Sequence, residues 1–245
     1  MKKRERLDKL LVDRGLVKSR ERAKALIMEG KVVVGGVVVS KAGSMVDAGG
    51  ALVLKEREMP YVGRGGLKLE AALRHFNIDP RGMVAMDVGC STGGFTDCLL
   101  KNNARKVYAI DVGYGQFDWT LRHDARIVLL EKTNIRYLER EAVPEVIDLA
   151  VIDVSFVSLM KVLPKVAEFL VPGGKVLALI KPQFEVGKGM VGKGGVVRDE
   201  MKRLSAVEGV SEEAVALGYT ALGVYESPVR GQKGNIEYFI YLGRN

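Results

Sequence analysis

The stretch Val84-Ala-Met-Asp-Val88 runs directly into Gly89-Cys-Ser-Thr-Gly-Gly94, and an apolar helical pattern with Phe95, Cys98, Leu99 and Leu100 follows. A buried strand that turns on glycines into a helix aims the free backbone N–H groups of the helix start at a ligand. The Gly-x-x-x-Gly-Gly spacing matches neither the Gly-x-Gly-x-x-Gly turn of dinucleotide sites nor a phosphate-binding P-loop, which continues Gly-Lys-Ser/Thr. The chain is therefore expected to build an open α/β sheet around a ligand of another kind.

Further strand patterns lie at 107–111, 127–130, 149–152, 176–180, 219–224 and 238–242, with helical patterns between the earlier ones. The last two fit an antiparallel hairpin. Together they predict an α/β fold with a doubly wound, mostly parallel seven-stranded sheet and a terminal β-hairpin. Asp111 ends the second strand, 24 residues after Asp87. A carboxylate there suits ribose hydroxyls, the role of the acidic residue about 20 positions on in Rossmann folds.

The charge is unevenly placed. Residues 1–58 hold 14 Lys/Arg against 8 Asp/Glu, whereas the remainder holds 24 against 22. A small basic module ahead of a nearly neutral body points to a polyanionic partner. In that module Leu7, Leu10 and Leu11 share a helical face, and Ser19 is placed to cap a second helix lined by Ala23, Leu26 and Ile27. Val32–Val39, broken at Gly35-Gly36, reads as a tight hairpin, with another strand at Ala51–Leu54. The organisation expected is a module over 1–58, a connector over 59–63 and a body over 64–245.

Composition narrows the function classes. No apolar run approaches the about 20 residues of a membrane span, and the N-terminus lacks the apolar core of a secretory signal. Two cysteines, Cys90 and Cys98, and no Cys/His cluster give no zinc site, so no metal is expected. The default address is cytoplasmic.

Arg6-Leu-Asp-Lys-Leu-Leu, Ser19-Arg-Glu-Arg-Ala and Gly30-Lys-Val-Val-Val-Gly-Gly are similar to the RNA-binding domain named after ribosomal protein S4. That resemblance implies phosphate contacts from Arg6, Lys9, Arg20, Arg22 and Lys24, which give affinity but little sequence choice. The turn after Asp87 looks like the first motif of S-adenosylmethionine methyltransferases. It implies a cofactor site formed by Asp87, Gly89, Ser91, Thr92, Gly93, Gly94, Phe95, Asp111, Val112 and Asp153, with Asn134 at the adenine edge. The glycines are expected to let backbone pass close to the methionine part of that cofactor.

Lys68, Asp153, Lys181 and Glu237, in that order, resemble the catalytic tetrad of FtsJ-like ribose 2′-O-methyltransferases. A ribose hydroxyl is a poor nucleophile at neutral pH, so its proton must be taken or its developing charge stabilised. The resemblance implies that Lys181 acts on the hydroxyl, less basic through burial and a neighbouring lysine, while the other three orient and tune it. There is no Asn/Asp-Pro-Pro-aromatic element of amino-methylating enzymes and no Pro-Cys nucleophile of cytosine C5 enzymes.

Over nearly its whole length the chain resembles the TlyA family, often labelled hemolysin A. The motifs are Tyr61-Val-Gly-Arg-Gly-Gly-Leu-Lys, Asp111-Val-Gly-Tyr-Gly-Gln, Asp153-Val-Ser-Phe-Val-Ser, Lys181-Pro-Gln-Phe-Glu-Val-Gly-Lys-Gly and Gly234-Asn-Ile-Glu-Tyr. That implies 2′-O-methylation of cytidine in ribosomal RNA, with an effect on sensitivity to capreomycin-type antibiotics. Longer members continue past the last strand, whereas this chain stops at Asn245, which on the resemblance favours the large ribosomal subunit as partner. Arg64 and the loop lysines Lys188 and Lys193 are further candidates for RNA contact. The oligomeric state is left open. His75 and His123 read as boundary residues, and Trp119, which could stack on a base, reads rather as helix packing. Competing readings are a cofactor-holding ribosome-assembly factor and a pore-forming protein.

Overall fold

The computed structural model describes residues 4–17, 19–55, 59–187, 189–192 and 194–245. The chain divides into two compact units, one ending at Met59 and the other spanning Pro60–Asn245. The first contains β1 (Arg4–Arg6), α1 (Leu7–Asp13), α2 (Arg20–Met28), β2 (Val32–Val34), β3 (Val37–Val38), β4 (Met45–Asp47) and β5 (Leu52–Leu54). Its core is the apolar set read from the helical spacing: Leu7, Leu10, Leu11, Ala23, Leu26 and Ile27, joined by Val32. The Ser19 hydroxyl caps α2 by accepting from the Arg22 amide at 3.2 Å. Gly35-Gly36 closes the β2–β3 hairpin, with Val34 opposite Val37. The two-stranded β1–β4 pair was not foreseen, because Arg4-Glu-Arg carries no strand pattern.

One buried acid organises the basic face of this unit. Asp8 is fully buried and receives two hydrogen bonds from Arg6 at 3.0 Å and one from Arg20 at 2.9 Å. It therefore ties the start of α1 to the start of α2.

The second unit contains α3 (Gly65–His75), β6 (Val84–Val88), α4 (Gly94–Lys101), β7 (Lys106–Ile110), β8 (Ile127–Leu130), β9 (Ile147–Ile152), α5 (Leu163–Ala167), β10 (Leu170–Ile180), α6 (Pro182–Glu185), α7 (Glu200–Ala216), β11 (Tyr219–Glu226) and β12 (Tyr238–Arg244). The strands form one sheet in the order β11-β12-β10-β9-β6-β7-β8. All neighbours are parallel except at β12, which is antiparallel to both β10 and β11. Alternation along each strand feeds two cores. Val84, Met86 and Val88 join Leu163, Val166, Val207 and Val210 on the α5–α7 face. Ala85 and Val107 join Leu69, Leu73, Phe95 and Leu99 on the α3–α4 face.

Two expectations need correction. Pro60–Gly63, read as connector, belong to the second unit: Tyr61 is buried in its core and the Val62 amide donates to Asp97 at 2.9 Å. Helices expected between the early strands are largely absent beyond α4. Residues 111–126 form turns, and 131–146 carry only short 3₁₀ segments at Ile135–Tyr137 and Arg140–Ala142. Gly113, Gly115 and the Asp118 carboxylate, which accepts from the Thr120 amide, favour turns over helix there. Trp119 consequently lies in a turn and is 70% exposed, not packed in a helix.

The arginines hold the Asp8 carboxyl well below its ordinary value of 3.8, hydrogen bonding from Arg6 being the largest cause. A depressed carboxyl contributes stability above its unfolded value and loses it as pH falls toward the folded one. Amide hydrogen exchange should show the first unit loosening below about pH 4. Asp8→Asn should cost it roughly 1.5–3 kcal/mol at pH 7 and remove that acid dependence.

Candidate functional site

Sheet register brings the candidate side chains to one edge. Asp153 follows β9, whose Ile152 pairs with Ala178, and Lys181 follows β10, whose Ile180 pairs with Tyr238. Glu237 directly precedes Tyr238, and because β12 runs antiparallel it arrives at the same sheet end as Lys181. Lys68 comes from α3. The Lys68 ammonium lies 2.6 Å from Glu237 Oε2, both being almost fully buried. The Lys181 ammonium lies 2.5 Å from Asp153 Oδ1 and donates to Ser155 Oγ at 2.9 Å. Four residues separated by up to 169 positions thus form two ion pairs at the ends of adjacent strands.

Glu237 is held from behind. Its carbonyl accepts from the Ser227 amide at 2.8 Å. A Cβ at position 231 would sit 2.0 Å from its Oε1, so Gly231 leaves the space the carboxylate occupies. Buried Asn235 accepts from the Val197 amide at 3.1 Å and donates to the Gly195 carbonyl at 2.9 Å, tying this turn to the segment that precedes α7.

A cavity of about 420 Å³ opens beyond the carboxyl ends of β6, β7 and β9, in the size range of small-molecule sites. It lies where the chain switches direction across the sheet, β7 being on one side of β6 and β9 on the other, the usual ligand position in such sheets. Gly89, Ser91, Asp111, Val112, Asn134 and Asp153 line it, as expected for these six candidates. The Asp111 carboxylate accepts from the Ser91 amide and the Gly113 amide, both at 2.7 Å. Each oxygen keeps a lone pair for a further donor such as a ribose hydroxyl. The Asn134 side-chain oxygen accepts from the Arg136 amide at 3.1 Å, fixing the 3₁₀ turn that forms one wall.

The other cofactor candidates are placed differently. Asp87 is wholly buried beneath the turn, accepts from Thr96 Oγ1 at 2.6 Å, and leaves its second oxygen without a hydrogen bond among the described residues. Burial pushes its carboxyl up to about 7, aided by the nearby Asp153 and Asp111 charges. Phe95 is core, its ring 6.1 Å from that of Phe239. Thr92, Gly93 and Gly94 do not line the cavity, Gly93 being the N-cap of α4. Gly89 also serves the sheet itself. Gly89 has φ +84°, and a Cβ there would lie 2.6 Å from the Asp153 carbonyl, so it permits the close approach of β6 and β9.

The residues missed by sequence reading include Gln116, Thr133, Ile135, Arg136, Ser155, Phe156 and Val157, which line the cavity with the apolar Val88, Ile110, Val154 and Val162. Ser155 and Phe156 lay inside the quoted Asp153 motif. Phe156 signals itself only in three dimensions, being 91% exposed with φ +64°. Cys98 is buried and its thiol is pushed up to about 12 by that burial; Cys90 is raised further, again chiefly by burial. Neither suits nucleophilic work.

Among the expected RNA contacts, Arg6 and Arg20 share Asp8 yet keep about half of each side chain exposed. Lys9 pairs loosely with Asp13 at 3.8 Å, Arg22 is exposed and Lys24 half-buried. Arg64 is exposed just ahead of α3. Lys188 and Lys193 lie outside the described residues. His75 stacks on Tyr225 at 4.1 Å and His123 touches the Trp119 ring edge, both packing roles.

Residues 61–244 match the model of the FtsJ-like methyltransferases, and residues 5–52 match that of the S4 domain. The chain is 46% identical over 243 residues to the Mycobacterium tuberculosis 16S/23S rRNA (cytidine-2′-O)-methyltransferase TlyA, covering 99% of this chain and 91% of that protein. It is 37% identical over 186 residues to the Campylobacter jejuni 23S rRNA (cytidine-2′-O)-methyltransferase TlyA, covering 76% and 72%. A solved structure of a hemolysin-named protein from Streptococcus thermophilus aligns over 100% of this chain and 90% of that one, with TM-score 0.77 and 43% identity.

Removing one partner of a buried pair strands the other charge. Lys68→Met should therefore lower the stability of the second unit by roughly 3–5 kcal/mol in urea unfolding. Adding Glu237→Gln should restore most of the loss.

Proposed function

Because the chain belongs to the FtsJ-like methyltransferases and, within them, to the TlyA family, we propose that it methylates the ribose 2′-hydroxyl of a cytidine in ribosomal RNA. It is an S-adenosylmethionine-dependent methyltransferase. The residues present fit that cofactor. Asp111 offers a doubly anchored carboxylate to ribose hydroxyls, Gly89 and Ser91 bring backbone to the cavity, and Asn134 and Ile135 form the opposite wall for the base. Bound there, S-adenosylmethionine supplies an electrophilic methyl group.

The observation that carries the reading is that Lys181 is held by two residues of the cavity wall, Asp153 and Ser155. Its ammonium has three donor positions. One is donated to Ser155, the Asp153 carboxylate lies against the group as its ion partner, and a position remains for the ribose oxygen. As that oxygen takes the methyl group it must shed its proton: as the neutral amine Lys181 would take it on Nζ, whereas as the ammonium it would hold the developing charge while the proton passes to solvent. Asp153 fixes the position of Nζ. Lys68 and Glu237, buried beside the same sheet end, orient the strand ends that carry the other pair. Phe156, exposed on the cavity rim, offers a flat face to the target base.

The first unit supplies phosphate contacts through the half-exposed Arg6 and Arg20, the exposed Arg22, and Lys9 and Lys24, and in the second unit Arg64, Lys188 and Lys193 are the candidates for RNA contact. No helix among the described residues is long and apolar enough to cross a membrane, and the proposed place of action is the cytoplasm, with ribosomal RNA. Both relatives named above carry 23S rRNA in their names, and only one carries 16S as well. Large-subunit RNA is accordingly the favoured substrate, and altered sensitivity to capreomycin-type antibiotics the expected consequence.

The test is transfer of labelled methyl from S-adenosylmethionine to large subunits, small subunits and their naked RNAs. Label in 2′-O-methylcytidine of large-subunit RNA is expected. Lys181→Ala should lower the rate at least about 100-fold with cofactor affinity unchanged. Near-normal transfer by folded Lys181→Ala would remove the assigned role.

A further inference from the structure

Exposed aromatic side chains are unevenly distributed in this chain. Tyr114 is 69% exposed, Trp119 70%, Tyr137 72% and Phe156 91%, and all four follow the carboxyl ends of β7, β8 or β9. Large rings left in water in one region mark an interaction surface. Phe156 belongs to the cavity already described. The other three sit on two loops, 111–123 and 131–137, outside its lining.

Those loops act as one body. The Lys132 amide donates to the Gly113 carbonyl and the Thr133 amide to that of Asp111, at 3.0 and 2.9 Å. Glu131 accepts from the Gly115 amide at 2.8 Å and pairs with Arg122 at 2.7 Å. Tyr114 falls between the cavity-lining Val112 and Gln116, and Tyr137 directly follows the lining Arg136. Tyr114 and Tyr137 therefore continue the rim of the cofactor cavity outward, and the Arg122–Glu131 pair ties the Trp119 turn to them.

Their charge environment selects the partner. The Lys132 ammonium stands 4.3 Å from the centre of the Tyr114 ring, and the Arg136 guanidinium 5.4 Å from that of Tyr137. Both cations are exposed, and neither is in an ion pair among the described residues. Of the acids nearby, Glu131 pairs with Arg122 and Asp124 with Arg126, while Asp118, hydrogen-bonded by Thr120, and the exposed Glu139 keep their charge. Exposed rings interleaved with unneutralised cations suit bases that stack and phosphates that pair. A protein face of ordinary composition would have no need of the free cations.

We propose that Tyr114, Trp119 and Tyr137 form a stacking platform for unpaired nucleotides of the RNA next to the methylated one, with Lys132 and Arg136 on their phosphates. The proposal rests on the RNA-methyltransferase reading and extends it: the second unit itself selects RNA that is unstacked around the target. These residues are specificity determinants and touch no reacting atom.

Trp119 is the sole tryptophan of the chain, so its emission reports on this surface directly. The full chain is titrated with a single-stranded cytidine-rich oligoribonucleotide, with the same strand paired in a duplex, and with S-adenosylmethionine alone. The single strand should quench Trp119 saturably, the duplex markedly less and the cofactor little. Tyr114→Ala and Tyr137→Ala should each raise the KM for RNA about 5- to 100-fold with kcat and cofactor affinity little changed. Four results overturn the platform: oligonucleotide binding by anisotropy without any change in emission, equal quenching by the duplex, the whole change arising from the cofactor, or unchanged KM in both variants. Methylation by the unmodified chain is scored separately. Its absence would fail the functional reading, whereas normal methylation with any of those four results fails only the platform.

Discussion

The site depends on one close approach, that of the Gly89 backbone to the end of β9. The Asp153 amide donates to the Val88 carbonyl at 2.9 Å, and the Gly89 amide to that of Ile110 at 2.8 Å. β6, β7 and β9 are thereby stitched together at the residue where the chain leaves the sheet. Any side chain at position 89 would drive into the Asp153 carbonyl and require a left-handed backbone as well. Spreading these strands would move Asp111 away from Ser91 and Asp153 away from Lys181. Cavity and ion pair are therefore consequences of a single backbone contact rather than independent features.

The two ion pairs differ in what surrounds them. Lys68 and Glu237 are both nearly sealed, so each is held by the penalty of leaving the other uncompensated. Lys181, itself buried, faces a half-buried Asp153 and the Ser155 hydroxyl, both of which line the cavity. A sealed pair fixes geometry and exchanges with nothing; a pair at a cavity wall has a direction left for a substrate. The two lysine side chains are equally buried, so it is the exposure of the Asp153 carboxylate, 21% against 2% for Glu237, that supports the proposed division between positioning and chemistry.

Most of the fold was legible because its signals are local or periodic. The buried run 84–88, the glycine turn and the leucine spacing of α1 depend on neighbours a few residues apart. The strand ends Asp111 and Asp153 could be located for the same reason. What escaped depends on tertiary geometry. Phe95 sits in the expected cofactor turn, yet the α4 face turns it into the core against Phe239. Trp119 lies in an apolar stretch that periodicity assigns to helix, while Gly113, Gly115 and Asp118 break it into turns and leave the ring in solvent. Asp8 and its two arginines show the same limit, because residues that read as separate phosphate contacts are held as one group by a buried acid.

The charge asymmetry acquires a physical meaning from these contacts. In the second unit many cations are spent internally: Lys106 on Glu145, Arg122 on Glu131, Arg126 on Asp124 and Lys101 on Asp97. Such pairs give little stability at the surface, but they remove positive charge from the field that a phosphate backbone would feel. The first unit has more cations than its acids neutralise, and its one buried acid aligns two of them without hiding either. Affinity from counterion release therefore belongs mainly to the first unit and weakens with salt. Contacts of the second unit rely on exposed rings and a few free cations, which salt affects far less. A polyanion is captured by charge, and the nucleotide to be modified is chosen by shape and stacking.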